Sequence, residues 1–194
     1  MDEIDQIRLF GSASLFGYLK SRQQSATNSV EQIPRDELLA TRPDALVGQI
    51  VAQWSVAPLV LLMEQMQRQQ SEIKISKVVD ATDYGMPVKR EVMVRGKMMT
   101  YLIPFTGDPQ LWLLTAIPEL IYTGALDAER RILTLTLRST NDVESSWYQR
   151  QMEERMSQIE VRIQSQSSEL KQHHDSLTAA VGRAVARRRE QVQA

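Results

Sequence analysis

Residues 143–194 contain no proline and a single glycine, Gly182. Within them Met152, Met156, Ile159, Ile163, Leu170, Leu177, Ala180 and Ala184 recur in steps of four and three, with two gaps of seven. This is the a/d spacing of a coiled coil. A helix carrying such a stripe cannot leave it in water, so the stripe demands a mate. If continuous, the segment measures about 78 Å at 1.5 Å per residue, whereas an ordinary globular helix has about 11–12 residues. A rod of that length dimerises, spaces or transmits.

The seam is interrupted. Gln166, His173 and Arg187 stand where apolar residues are expected. Polar seam residues weaken a coiled coil while fixing its register. The simplest expectation is a parallel homodimer through Met152 to Ala184. The alternative is a helical hairpin that turns in the Gln/Ser-rich residues 164–168 and buries the same stripe within one chain.

Size bounds the remainder. The chain has 194 residues, of which 42% are apolar, enough for one globular domain and an extension. Lys and Arg number 23 against 24 Asp and Glu. That balance gives no global field toward nucleic acid or an anionic membrane. There is no cysteine, which excludes disulfides, thiolate catalysis and cysteine-ligated metals and fits a reducing compartment. The start, Met1-Asp2-Glu3-Ile4-Asp5, lacks the basic and apolar regions of a secretory signal. The most apolar run, residues 56–63, is far shorter than the roughly 20 residues a spanning helix needs. A soluble cytoplasmic protein without membrane contact is expected.

Along the chain, Ile4, Ile7, Phe10 and Leu15 predict a short helix over residues 2–19. Residues 21–32 are polar and read as a loop. Pro34 and Pro43 each precede a helical pattern, as expected in a first turn. Pro58 breaks the second of these, and residues 59–70 read as a further helix. From Glu72 the pattern alternates. Residues 88–95 and 97–105 flank Gly96 and predict a hairpin turning there. Gly107-Asp108-Pro109 marks another turn, residues 111–117 form a further apolar run, and Pro118 and Gly124 bound a connection. Residues 132–138, Ile-Leu-Thr-Leu-Thr-Leu-Arg, alternate strictly, the signature of a half-buried antiparallel strand. Helices, then strands, then one long helix predict an α+β fold. N-terminal helices pack on an antiparallel sheet in residues 1–140, and residues 141–194 form a coiled-coil helix.

Residues 103–108, Ile-Pro-Phe-Thr-Gly-Asp, are followed by Leu111, Pro118, the Ile-Leu-Thr-Leu-Thr-Leu strand and a helix ending in Ala-Arg-Arg-Arg-Glu. Over residues 72–194 this resembles the N-terminal portion of modular bacterial phage-defence proteins, which join an α+β region, a coiled coil and a C-terminal effector domain. The resemblance implies a sensor or oligomerisation module whose chemistry lies past Ala194. It carries over no catalytic residue. The absence of a helix C-cap signal near Ala194 raises the same expectation, although Arg183, Arg187, Arg188 and Arg189 also suit a helix end.

Catalytic signals are sparse. Gly11 and Gly17 form no phosphate loop. His173 and His174 point about 100° apart on a helix and cannot clasp one metal as an i, i+4 pair does. Asp44, Glu72 and Lys74 match the residue types of a Mg²⁺ nuclease, yet Asp44 suits a helix start and Glu72 and Lys74 an exposed strand face. Asp80 and Asp83 suit a cation or a simple turn cap. Lys89, Arg90, Arg95 and Lys97 are candidate nucleic-acid contacts, or charges that protect a sheet edge. Trp54 and Trp112 are assigned to the core, and Trp147 and Tyr148 to anchoring the long helix on the sheet. The expectation is a non-catalytic regulatory or oligomerisation module needing no cofactor or metal. The alternatives are a ligand- or nucleic-acid-binding sensor and, last, a Mg²⁺ nuclease.

Overall fold

A computed structural model describes residues 7–83, 86–115, 122–140 and 143–193. The start of the helix expected from Asp2, the residues Gly85 and Pro118, and Ala194 lie outside them. The fold is α+β. In chain order the elements are β1 (Ile7–Leu9), β2 (Ala13–Ser14), α1 (Leu15–Glu31), α2 (Arg35–Ala40), α3 (Pro43–Trp54), β3 (Val60–Leu61), β4 (Gln67–Asp83), β5 (Met86–Thr106), β6 (Leu114–Thr115), β7 (Tyr122–Asp127), β8 (Ile132–Thr140) and α4 (Ser145–Gln193). The chain divides into two compact units. The first holds residues 1–7, 61–105 and 123–160, and the second holds residues 8–60, 106–122 and 161–194.

In the first unit β8 pairs antiparallel with both β7 and β5, and β4 pairs antiparallel with β5. The alternation of apolar residues sets the face. Met99, Tyr101 and Ile103 of β5 stand opposite Leu137, Leu135 and Leu133 of β8, and all six are buried. The first turns of α4 add Tyr148, Met152, Met156 and Ile159 to the buried set. Tyr148 donates its hydroxyl to the Lys97 carbonyl at 3.2 Å, and Arg155 donates to the Thr136 carbonyl at 3.3 Å. The start of the helix is thus tied to the sheet as its aromatic pair predicts.

Gly96 is not a turn. It lies inside β5, opposite Ile73 of β4 and Thr140 of β8. A Cβ there would stand 2.3 Å from Ile75 Cδ1 and 2.8 Å from the Ser139 carbonyl oxygen. Glycine is used for close approach between strands. The hairpin closes instead between the paired residues Asp83 and Met86.

In the second unit α1, α3 and the later part of α4 enclose a helical core. Ala26, Val30, Leu38, Leu46, Ile50, Val51, Leu177, Val181, Ala184 and Val185 are buried in it together. Residues 21–32 belong almost wholly to α1 rather than to a loop, and over the described residues 7–19 the expected first helix gives way to β1, β2 and the start of α1. Ser14 caps α1 by accepting from the Gly17 amide at 3.3 Å. Pro43 opens α3 as expected. The helix expected over residues 59–70 is absent: β3, a 3₁₀ turn and the start of β4 occupy that stretch. Gly107 adopts a positive φ of 101°, and a Cβ there would meet the Pro58 carbonyl at 2.1 Å. The turn around it is the one the sequence marks.

α4 is continuous over 49 residues, which removes the hairpin alternative. Its stripe is buried by its own chain. Met152, Met156, Ile159, Leu170, Leu177, Ala180 and Ala184 are each at most 8% exposed, and Ile163 is half-buried. The intermolecular coiled coil therefore loses its physical basis, because the burial that called for a second helix is already satisfied. Gln166, expected to weaken a seam, is 2% exposed and has a specific task. Its side-chain amide donates to the carbonyls of Leu111 at 2.9 Å and Leu114 at 2.7 Å. It holds the irregular segment between the 3₁₀ turn Pro109–Trp112 and β6.

Candidate functional site

Within the second unit α1 and α4 lie side by side. Early α1 residues line the same cleft as Glu169 and His173, while Glu31 at the α1 end reaches Arg187 at 3.1 Å and Arg188 at 3.8 Å. The two helices therefore run in the same direction. Between them are two open clefts of about 900 and 430 Å³, which share Gln24 and Thr27. They form one groove. From Glu169 to Arg187 it spans about 27 Å at the helical rise.

Gln24, Thr27, Asn28 and Glu31 of α1 and Arg183 and Arg187 of α4 line the second cleft, with the buried Ala180 and Ala184 at its floor. Polar groups crowd the first. Lys20, Gln23, Glu169, Gln172, His173 and Ser176 all contribute. Burial pushes the Glu169 carboxyl above its ordinary range. Burial lowers the His173 pKa, and the charges of Arg22 and His174 push it the same way. Its Nε2 is buried without a hydrogen-bond partner. Ser176 donates to Gln23 Oε1 at 3.5 Å, a link between the two helices.

A second cluster braces α1. Arg22 donates to the Trp54 carbonyl at 3.0 Å, at the α3 C-terminus, and its guanidinium lies 5.5 Å from the Trp54 ring centroid and 5.7 Å from that of Tyr18. Tyr18 donates to Asp108 Oδ2 at 3.1 Å, and burial followed by Asp108 raises its pKa. At the far end Arg189 donates to the carbonyls of Leu38 and Thr41, at and just past the α2 C-terminus.

The nuclease candidates are divided between the two units. Asp44 sits in the first turn of α3 in the second unit, whereas Glu72 and Lys74 lie on β4 in the first. Among the described residues no three His, Cys, Asp or Glu side chains are grouped to hold a metal ion. Asp80 lies opposite Lys89 on the β4–β5 ribbon, and the Asp83 side chain is outside the described residues. The four nucleic-acid candidates share β5 but not a face. Lys89, Arg95 and Lys97 are on one side with Glu72, Asp80 and Glu91, and Arg90 is on the other. His173 borders the groove, while His174 is exposed with its Nδ1 3.3 Å from Ser55 Oγ. No helix among the described residues is long and apolar enough to cross a membrane.

Sequence reasoning missed Lys20, Gln24, Thr27 and Glu169. A stripe on α1 carried the signal: Leu15, Leu19, Ala26 and Val30 are buried at helical spacing. No protein-family model, curated protein or solved structure matches the chain.

Proposed function

We propose that the chain is a non-catalytic regulatory module that binds a helical segment of a partner protein in the groove between α1 and α4. The observation that carries this reading is the groove itself: about 27 Å long by helical rise, open to solvent, and lined along both halves by hydrogen-bonding and charged side chains, with Phe16 and Leu19 at one end. A third helix laid between two aligned helices packs at about 8–10 Å from each, over the exposed Gln24 and the half-buried Thr27. Lys20, Arg183 and Arg187 favour carboxylates on the incoming helix, and Glu169 and Gln172 offer acceptors to its cations and amides. The arrangement shares the geometry of helix-in-groove recognition but uses polar anchors in place of a continuous apolar floor. The resemblance to bacterial phage-defence proteins supplies a regulatory setting, and the lack of cysteine suits a reducing cytoplasm.

The test pans a display library of helical peptides against the whole chain, each of about 18 residues to match the groove at the helical rise. It counter-selects with Gln24→Trp, which fills the part of the groove that both clefts share. Gln24 is exposed, so the substitution leaves the core untouched. Peptides that bind the native chain and lose at least tenfold in affinity on the variant support the reading. A selection that yields no peptide sensitive to Gln24→Trp overturns it.

A further inference from the structure

β4 is a 17-residue strand whose pairing partner is β5 alone among the described residues. Beyond the reach of β8, which ends opposite Gly96, the two strands continue as a bare ribbon. None of the described β4 side chains is fully buried. Natural proteins cover or blunt an edge this long, because its free amides and carbonyls are a template for another strand. A two-stranded ribbon is also marginal by itself, and additional strands stabilise it.

The β4 sequence complements itself. About a two-fold axis through Lys77, an antiparallel copy sets Ile75 opposite Val79 and Ile73 opposite Ala81 on one face. It sets Lys74 opposite Asp80 on the other. Symmetry repeats each pairing twice. Sliding the copy by one pleat in one direction sets Glu72 against Asp80, and in the other sets Lys77 against Val79 and separates Lys74 from Asp80. Neither neighbouring register joins both sets, and an axis through Ile73, which sets Glu72 opposite Lys74, leaves Ile75 against Ser71 and Val79 against Gln67. The costs of the Lys77 register are Val78 opposite Ser76 and Lys77 opposite Lys77, the latter softened by long stems that splay apart.

We propose that two copies of this chain associate through their β4 edges, in antiparallel register centred on Lys77, to form a continuous four-stranded ribbon. The contact spans residues 72–82, about 37 Å of strand. Directly opposed residues contribute through cross-strand pairs, and main-chain hydrogen bonds supply the affinity, as in strand addition generally. This interface is separate from the α1–α4 groove and does not depend on it.

The whole chain is measured by sedimentation equilibrium at about 5–200 µM, a range of ordinary working concentrations that brackets micromolar affinity. The native protein is expected to shift from 22.2 kDa toward twice that mass. Asp80 also faces Lys89 across its own hairpin, so Asp80→Lys is combined with Lys89→Glu to keep that pair intact with its signs reversed. The double variant turns the intermolecular contact between positions 74 and 80 into one of like charge and is expected to raise the dimer Kd at least tenfold. Adding Lys74→Glu restores opposite charges and is expected to restore the dimer. Lys77→Thr removes the like-charge pair at the axis and is expected to tighten it. A native chain that stays monomeric, a dimer indifferent to the double variant, or a triple variant that fails to recover overturns the proposal.

Discussion

Gln166 offers the sharpest test of how α4 is held. It replaces an apolar residue in the stripe, is 2% exposed, and donates two hydrogen bonds to backbone carbonyls, that of Leu111 in the 3₁₀ turn and that of Leu114 in the two-residue strand β6. Gln166→Met keeps the length and most of the volume, so the cavity contribution is small. It removes both donors and leaves the Leu111 and Leu114 carbonyls without them. Each net hydrogen bond is worth about 1 kcal/mol, and a buried acceptor stripped of its partner costs about 1–3 kcal/mol. The expected loss is about 2–3 kcal/mol. With a urea slope of about 2 kcal/mol per molar, the midpoint falls by roughly 1–1.5 M. The assay is urea unfolding in a Trp147→Phe background, which leaves Trp54 and Trp112, both in the second unit, as fluorescent reporters. Gln164→Met, at an exposed position two residues earlier, is the control and is expected within about 0.5 kcal/mol of its parent. Equal midpoints for the Gln166 and Gln164 variants would refute the idea that the amide holds this segment.

Three further outcomes are expected. Gly96→Ala should destabilise the first unit by about 1–3 kcal/mol, because the Ser139 carbonyl oxygen at 2.8 Å is backbone and cannot move aside as the Ile75 side chain can; thermal unfolding measures it, and an unchanged Tm contradicts the close packing. Leu177→Asp puts a carboxylate into a site with no exposure and should cost more than about 4 kcal/mol; circular dichroism should show lost helix, and a fully folded variant of altered mass would restore the intermolecular seam. His173 has a lowered folded pKa, so the unfolded chain takes up its proton first as pH falls below 6.5. Its stabilising contribution is present above that pH and is lost on descent toward the lowered value, so His173→Gln should flatten the fall in Tm between about pH 7 and 5.5. Glu169 acts with opposite sign at lower pH, where protonation relieves the cost of its burial.

The parts of the fold legible in the sequence were those written with large apolar residues at a clean period. β8 alternates leucine with threonine, and both faces behave as the alternation requires. The long helix was equally plain. α1 was not, because one position of its stripe is held by Arg22 and another by Ala26, and the other residues from Ser21 to Ser29 are Gln, Ser, Thr and Asn. Arg22 is tolerated there because Trp54 and Tyr18 receive its guanidinium. Propensity also misplaced residues 59–70: leucine and methionine favour helix locally, but strand pairing decides from Gln67 onward. Glycine at position 96 has the same composition signal as a turn glycine. What distinguishes it is the pair of strands on either side, which only the register supplies. The groove was illegible for a related reason. Its residues are ordinary surface side chains on two helices, and nothing local says that those helices lie side by side.

The stripe on α4 also contains a clue to what buries it. A heptad repeat states only that one face of a helix is dry; it does not say whether the covering surface comes from another chain. Residue size narrows the choice. The early positions are Met152, Met156 and Ile159, bulky enough to fill the roughly 10 Å separation of layers stacked on a sheet. The late positions are Ala180 and Ala184, which permit neighbouring helices to approach within about 8–10 Å. A dimeric coiled coil favours β-branched residues at a and leucine at d, a preference this seam follows at few positions. It changes instead from large to small and meets different partners at different points. In this chain those partners are the sheet residues of the first unit and the helices of the second, and both come from the same polypeptide.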